Sequence, residues 1–123
     1  MNDTKLIGRV ELVDLPQLSV KRVPSKVDTG ADACSIWAHK IERSDDRLDV
    51  VFFGPDSPFY NGIVHTFKSD EFEITRISNS FGKKELRYKV KIKVRISGKL
   101  INGTFTLSDR STKLYPILIG RSL

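Results

Sequence analysis

Among the side chains able to do chemistry, those in Val27-Asp28-Thr29-Gly30-Ala31 are the most suggestively spaced. An aspartate, a hydroxyl residue and a glycine in succession suit a tight turn, in which the glycine takes unusual backbone angles and the carboxylate is held at the tip. A carboxylate so placed can serve as a general acid or base. Taken alone, the triplet is equally compatible with an ordinary strand-ending turn. Other reactive groups are sparse. Cys34 is the only cysteine, so no intrachain disulfide can form. Beside the loop it is a nucleophile, a ligand, or a small buried residue behind the turn, and the strong tendency of free cysteine to be buried favours the last. His39 and His65 are the only histidines and form no His-Glu-x-x-His pattern, so the residues offer no zinc site. No metal and no cofactor is expected.

A second segment changes the weight of the first. Tyr115-Pro116-Ile117-Leu118-Ile119-Gly120-Arg121 is an apolar strand running into Gly-Arg. In this order and on a chain of this size, the two segments resemble the retropepsin-like aspartic proteases. There an Asp-Thr-Gly-Ala loop supplies the catalytic carboxylate, and a late apolar-apolar-Gly-Arg segment packs behind it. More narrowly, KVDTGADACSIWA, ISNSFGKKELRYKVKIKV, FTLSDRSTKLYPILIGRSL and the opening IGRVELVDLPQL are similar to a bacterial and archaeal family labelled ATP-dependent zinc proteases, often found beside a RimK-type ligase. The stretch from about Ile41 to Lys68 carries no such likeness. The zinc of that label finds no support in the residues of this chain.

The resemblance implies a retropepsin-like, closed or nearly closed all-β barrel. Aspartic proteolysis needs two carboxylates sharing a proton, and one chain carries one Asp-Thr-Gly loop. The resemblance therefore implies a homodimer with Asp28 of each chain at the two-fold axis. By the same match, the Thr29 hydroxyl holds the partner loop, Gly30 lets substrate backbone approach, and Ala31 completes the loop. Gly120 packs behind it. Asp32 and Arg121 pair and brace it, an ion pair expected to be buried and costly to break. Phe81 and Gly82, in the loop Ser78 to Lys84, fall near the tip of a substrate-covering flap hairpin. The chain departs from the viral pattern by ending at Ser122-Leu123, which leaves no terminal strand for an intersubunit sheet. Dimerisation is then expected to use other surfaces, and a chain that stays monomeric would be inactive.

Composition bounds the rest. With 123 residues, 39% hydrophobic and 29% charged, the chain is expected to form a single domain over residues 1–123. No stretch is apolar enough to span a membrane, and no signal segment opens the chain, which points to the cytoplasm.

Short runs of alternating residues separated by turn residues give the elements that must position the loop. Strands are expected over Leu6 to Leu15, over Leu18 to Val27 delivering Asp28, and over Ser35 to Ile41. Pro24 calls for an edge, a bulge or a bend. Further strands are expected over Leu48 to Phe53, Glu71 to Ile77, Leu86 to Ile96, Thr104 to Ser108 and Leu114 to Ile119. Asn61-Gly62 signals a two-residue hairpin between Phe59-Tyr60 and Ile63-Val64, while Ser97-Gly98 and Asn102-Gly103 signal turns or bulges.

The net charge of +6 is uneven. Lys83 to Arg110 holds nine basic residues against Glu85 and Asp109. Five of them, Arg87, Lys89, Lys91, Lys93 and Arg95, alternate with apolar residues and so share one strand face. That face is either simply solvated or a line of positive potential for an acidic partner, such as a polyglutamate tail. Nucleic acid fits less well, because no aromatic residue stands on that face and the chain carries no nucleic-acid-binding fingerprint. The resemblance thus implies a dimeric aspartic endopeptidase acting on protein or peptide, to which the charge adds acidic substrates. Its rival is a non-catalytic barrel that binds acidic tails, less readily RNA, through the basic strand.

Overall fold

A computed structural model of the chain describes residues 9–78 and 81–123. It contains nine strands: β1 (Arg9–Leu15), β2 (Val20–Val27), β3 (Cys34–Ser44), β4 (Arg47–Phe52), β5 (Val64–Lys68), β6 (Phe72–Ser78), β7 (Lys84–Ile96), β8 (Lys99–Ser108) and β9 (Ile117–Ile119). The architecture follows from side-chain alternation. Along β7, Val90, Ile92 and Val94 are buried while Lys91, Lys93 and Arg95 are exposed, so one face of the strand must turn inward. Each aliphatic side chain fully buried in this way contributes about 1.5–3 kcal/mol.

Six strands close that inward face into a barrel, in the order β3-β8-β7-β1-β2-β9 with β9 returning to β3. Closure leaves no free edge inside the ring. Val23, Ile36, Ile92, Phe105 and Ile117 fill it. Two further pieces project from the ring. β4 and β5 continue the sheet outward from β3, covered by Phe52, Phe53 and Phe67, and β6 pairs with the first half of β7 as a long hairpin. No helix among the described residues is long and apolar enough to cross a membrane.

The β1–β2 connection is a 3-10 turn over Pro16–Leu18 closed by Ser19 at φ 59°. The register then shifts between Val13 and Leu15, and Arg22, at φ 55°, donates its N–H to Asp14 Oδ1 at 2.9 Å. The irregularity that Pro24 calls for therefore lies two residues before it. Pro24 faces Leu12 in β1, and pairing with β9 begins only at Ser25, so the missing N–H leaves no gap in that ladder.

Several expectations need correction. Asn61-Gly62 does not form a hairpin: residues 53–63 are a loop between β4 and β5, in which Asn61 Nδ2 donates to the Leu18 carbonyl and Asn61 Oδ1 accepts the Ile63 N–H. Long-range anchoring of the asparagine outweighs its local turn preference. Asn102-Gly103 is neither turn nor bulge but regular β8 opposite Lys93 and Ile92. Its glycine answers to packing, since a Cβ at Gly103 would lie 2.8 Å from both Leu123 and Phe105. The β7–β8 turn is Ser97-Gly98, both at positive φ, the geometry that suits a two-residue hairpin. β3 runs three residues past its expected end because β4 pairs with it, and β9 is confined to Ile117–Ile119. The expected start of the first strand at Leu6 lies outside the described residues.

Candidate active site

β2 and β9 run parallel, with Ser25, Lys26 and Val27 opposite Ile117, Leu118 and Ile119. Both strands are apolar at their buried positions and both end at the same level. There the chain turns. The Asp28 N–H continues the ladder to the Ile119 carbonyl at 2.9 Å, the Ala31 N–H returns to the Asp28 carbonyl at 3.1 Å, and the Gly30 N–H donates to Asp28 Oδ1 at 2.9 Å. One carboxylate oxygen is thus fixed by its own loop. Gly30 is not at positive φ, contrary to the expected unusual backbone angles. Its absent side chain matters for space instead: a Cβ would sit 3.2 Å from Asp28 Oδ1. Asp28 is half-buried, and Thr29 and Gly30 are exposed at the tip.

Behind the tip the loop is held by main chain. Arg121 N–H donates to the Ala31 carbonyl at 2.8 Å and Ser122 N–H to the Asp32 carbonyl at 3.0 Å. Gly120 lies so close that a Cβ would meet the Ala33 oxygen at 2.4 Å and the Ala31 oxygen at 2.9 Å. No residue with a side chain fits there without moving the loop. Cys34 is fully buried directly beneath, its Sγ accepting the Gly120 N–H at 3.4 Å. That contact makes it a packing residue of the loop, and Ser122 Oγ lies 4.0 Å from the same sulfur. The role of Ser122 had no signal in the sequence, since nothing local distinguishes it from any terminal serine.

The Asp32 and Arg121 side chains do meet, and the Asp32 carboxylate pushes the Arg121 guanidinium up through that hydrogen bond and its charge. The expectation of a buried pair is corrected. The two side chains are 83% and 62% exposed, because the strands that bring them together end at the surface. Water screens such a pair, so the main-chain bonds and Gly120 carry the bracing.

The β6–β7 hairpin presents Phe81 at 86% exposure and Gly82 at φ 78° near its tip. Asn79 and Ser80, which share that loop, lie outside the described residues. On the hairpin's inner face Ile74 opposes Tyr88 and Arg76 opposes Leu86. On the outer face the five cations do not form the uninterrupted line expected. Arg87 pairs with Glu85 at 3.3 Å, Lys89 stands opposite Glu73, and Arg95 stands opposite Asp14. Register with β6 and β1 brings in Glu73 and Asp14, while Glu85 precedes Arg87 by two residues on β7 itself. Lys91 and Lys93, opposite Thr104 and Asn102, form the exposed middle of the stretch.

Residues 6–123 match the family model described as RimB-like, retropepsin-like aspartic endopeptidase RimB. A protein named probable alpha-L-glutamate ligase from Desulfotalea psychrophila is 27% identical over 95% of this chain, and one of the same name from Shewanella pealeana is 28% identical over 98%. The chain spans only about a quarter of these relatives, 26% and 27% of their length. The crystal structure of a Legionella pneumophila protein of unknown function superposes with a TM-score of 0.66 at 22% identity, covering 94% of this chain and 82% of that one. This last likeness is one of fold.

Proposed function

The chain belongs to the RimB-like family of retropepsin-like aspartic endopeptidases, and on that premise we propose that it cleaves peptide bonds at a centre formed where the Asp28 loops of two copies meet. The observation that carries the proposal is the Asp28 carboxylate, fixed by the Gly30 N–H at the exposed tip of a loop braced from behind by Gly120 and the Arg121 and Ser122 amides. Two carboxylates brought together by a two-fold axis hold one proton between them. The ionised one takes a proton from water as the water oxygen bonds to the scissile carbon, while the other gives its proton to the carbonyl oxygen. When the tetrahedral intermediate collapses, the C–N bond breaks, the amine leaves with a proton from one carboxyl, and a hydroxyl of the intermediate gives its proton to the other carboxylate as the carbonyl re-forms, restoring the dyad. Thr29 is assigned to holding the partner loop, and Phe81 and Gly82 to covering the substrate.

Two features favour a substrate rich in α-linked glutamate. Relatives of this domain are named as α-L-glutamate ligases, and Lys91 and Lys93 present positive charge on the outer sheet face. The same cations keep a second reading open, a barrel that binds acidic tails without cutting them. The two separate on one experiment. Wild type and Asp28→Asn are incubated with a peptide ending in an oligo-α-glutamate tail and with a neutral peptide library, with solution mass measured alongside. Cleavage is expected from a dimer and should fall by about 10²–10⁴-fold in the variant, with fold and mass retained. Cleavage that survives Asp28→Asn would rule the mechanism out, and tail binding without cleavage by wild type would favour the binding module.

A further inference from the structure

Trp37, the only tryptophan of the chain, stands on β3 at the end of β9 away from Asp28. Its N–H donates to the Pro116 carbonyl at 2.9 Å, and its own carbonyl accepts the Phe53 N–H at 3.0 Å. The main chain is therefore fixed from both sides. The indole is fixed as well, because Gly54 packs against it so tightly that a Cβ there would lie 2.4 Å from Cζ2. The half-buried ring forms a wall between two surface hollows of about 430 and 340 Å³, which share Trp37, Asp56 and Ser111.

The two hollows differ in chemistry. The first sets Asp56 and Asp109 beside the indole, with His39 at its side. The Ser111 N–H donates to Asp109 Oδ1 at 2.9 Å, and bonds from Ser111 hold the Asp109 carboxyl below its ordinary range. In a molecule with a net charge of +6, no salt bridge among the described residues engages either carboxylate. Two carboxylates and an indole lining one hollow suit a flat organic cation, which can pair with the first and stack on the second. The second hollow is lined by Pro24, Phe59, Leu114 and Pro116, with Lys113 also on its wall. Leu114 is 84% exposed.

We infer that these paired hollows dock an extended peptide segment carrying an arginine next to an apolar residue, the guanidinium lying against Trp37 between Asp56 and Asp109 and the apolar side chain entering the proline-lined hollow. A planar guanidinium stacks on an indole and pairs with carboxylates at once. Lys113 repels a cation from the second hollow and so fixes the direction of the segment. Pro116, just before β9, and Ile119, at its end, are separated by about 10 Å of extended chain, so the site is distinct from the Asp28 loop and stands whether or not that loop cleaves.

Because Trp37 is the sole tryptophan, its fluorescence and its indole N–H resonance report on this site alone. The protein is titrated with acetyl-Pro-Leu-Arg-amide, with the same peptide carrying citrulline for arginine, and with one carrying glutamate. A saturable Trp37 response is expected with arginine, at least about tenfold weaker with citrulline or glutamate. The double variant Asp56→Asn, Asp109→Asn should weaken arginine binding about tenfold or more, while Asn at 109 keeps an oxygen for the Ser111 amide. Asp28→Asn should titrate as wild type does. No saturable response, an equal response to citrulline, or binding unaffected in the double variant would each overturn the inference.

Discussion

The loop at Asp28 and the outer face of β7 are both rich in charged residues, but they are held in different ways. The loop owes its shape to main-chain bonds from Ile119, Arg121 and Ser122 and to the space left empty at Gly120. Its one ion pair, Asp32 with Arg121, lies in solvent. The β7 face owes its charge to alternation alone, and its cations are matched by Glu85 on the same strand or by residues of β6 and β1, or left open beside β8. Substitutions at the loop should therefore act through sterics and backbone, whatever the salt. Substitutions on the β7 face should act through electrostatics and leave the fold alone.

The largest expected effect tests the first half of that contrast. Gly120→Ala places a methyl group 2.4 Å from the Ala33 oxygen, and relief requires the Asp28 loop to move. A loss of about 1–3 kcal/mol or more is expected by urea denaturation, unchanged between low and high salt. A variant as stable as wild type would mean that the loop is not held from behind.

Reversing Lys91 and Lys93 to Glu comes next. Binding of an oligoglutamate peptide should fall about tenfold or more, and the residual wild-type affinity should decline steeply between 0.01 and 0.15 M salt, as the Debye length shrinks from about 30 to 8 Å. The midpoint of unfolding should stay put. If oligoglutamate affinity is the same for wild type and the reversed variant, the face is simply solvated.

A smaller effect concerns pH. His65 packs edge-on against Phe52 at 5.7 Å between ring centroids, and burial holds its imidazole below the ordinary value of 6.5. The neutral ring is the one the fold accepts, so its contribution is present above pH 6.5 and is lost as the pH falls through and below that value. Denaturation at pH 7.5 and pH 5 should show a decline for wild type that is smaller in His65→Gln.

The smallest effect is the most pointed for the comparison. Arg121→Met removes the exposed pair but keeps the Arg121 amide bonded to Ala31, so the unfolding midpoint should barely change. A large loss would show that the side chains, and not the main chain, brace the loop.

The sequence by itself determined what depends on neighbours along the chain. The alternation in Leu86 to Ile96 set which face of β7 turns inward, Ser97-Gly98 set the turn, and Asp28-Thr29-Gly30 together with Ile119-Gly120-Arg121 marked the two segments of the site. The first two signals are a two-residue period and a local backbone preference, legible without knowing what lies across the sheet, while the two segments of the site stood out through their likeness to the retropepsin-like family. Only the tertiary structure decided the parallel pairings of β2 with β9 and of β3 with β8, because partner choice depends on residues far apart in the chain. Those pairings place Gly120 against Ala33 and leave Asp32 and Arg121 in water. The antiparallel pairing of β3 with β9 likewise brings Pro116 to Trp37, with Pro24 beside the same indole. The same dependence explains why Asn61-Gly62 and Asn102-Gly103 misled: a turn-forming pair turns the chain only where no tertiary contact claims it, and here Leu18 claims the first while Phe105 and Leu123 fill the space beside the second.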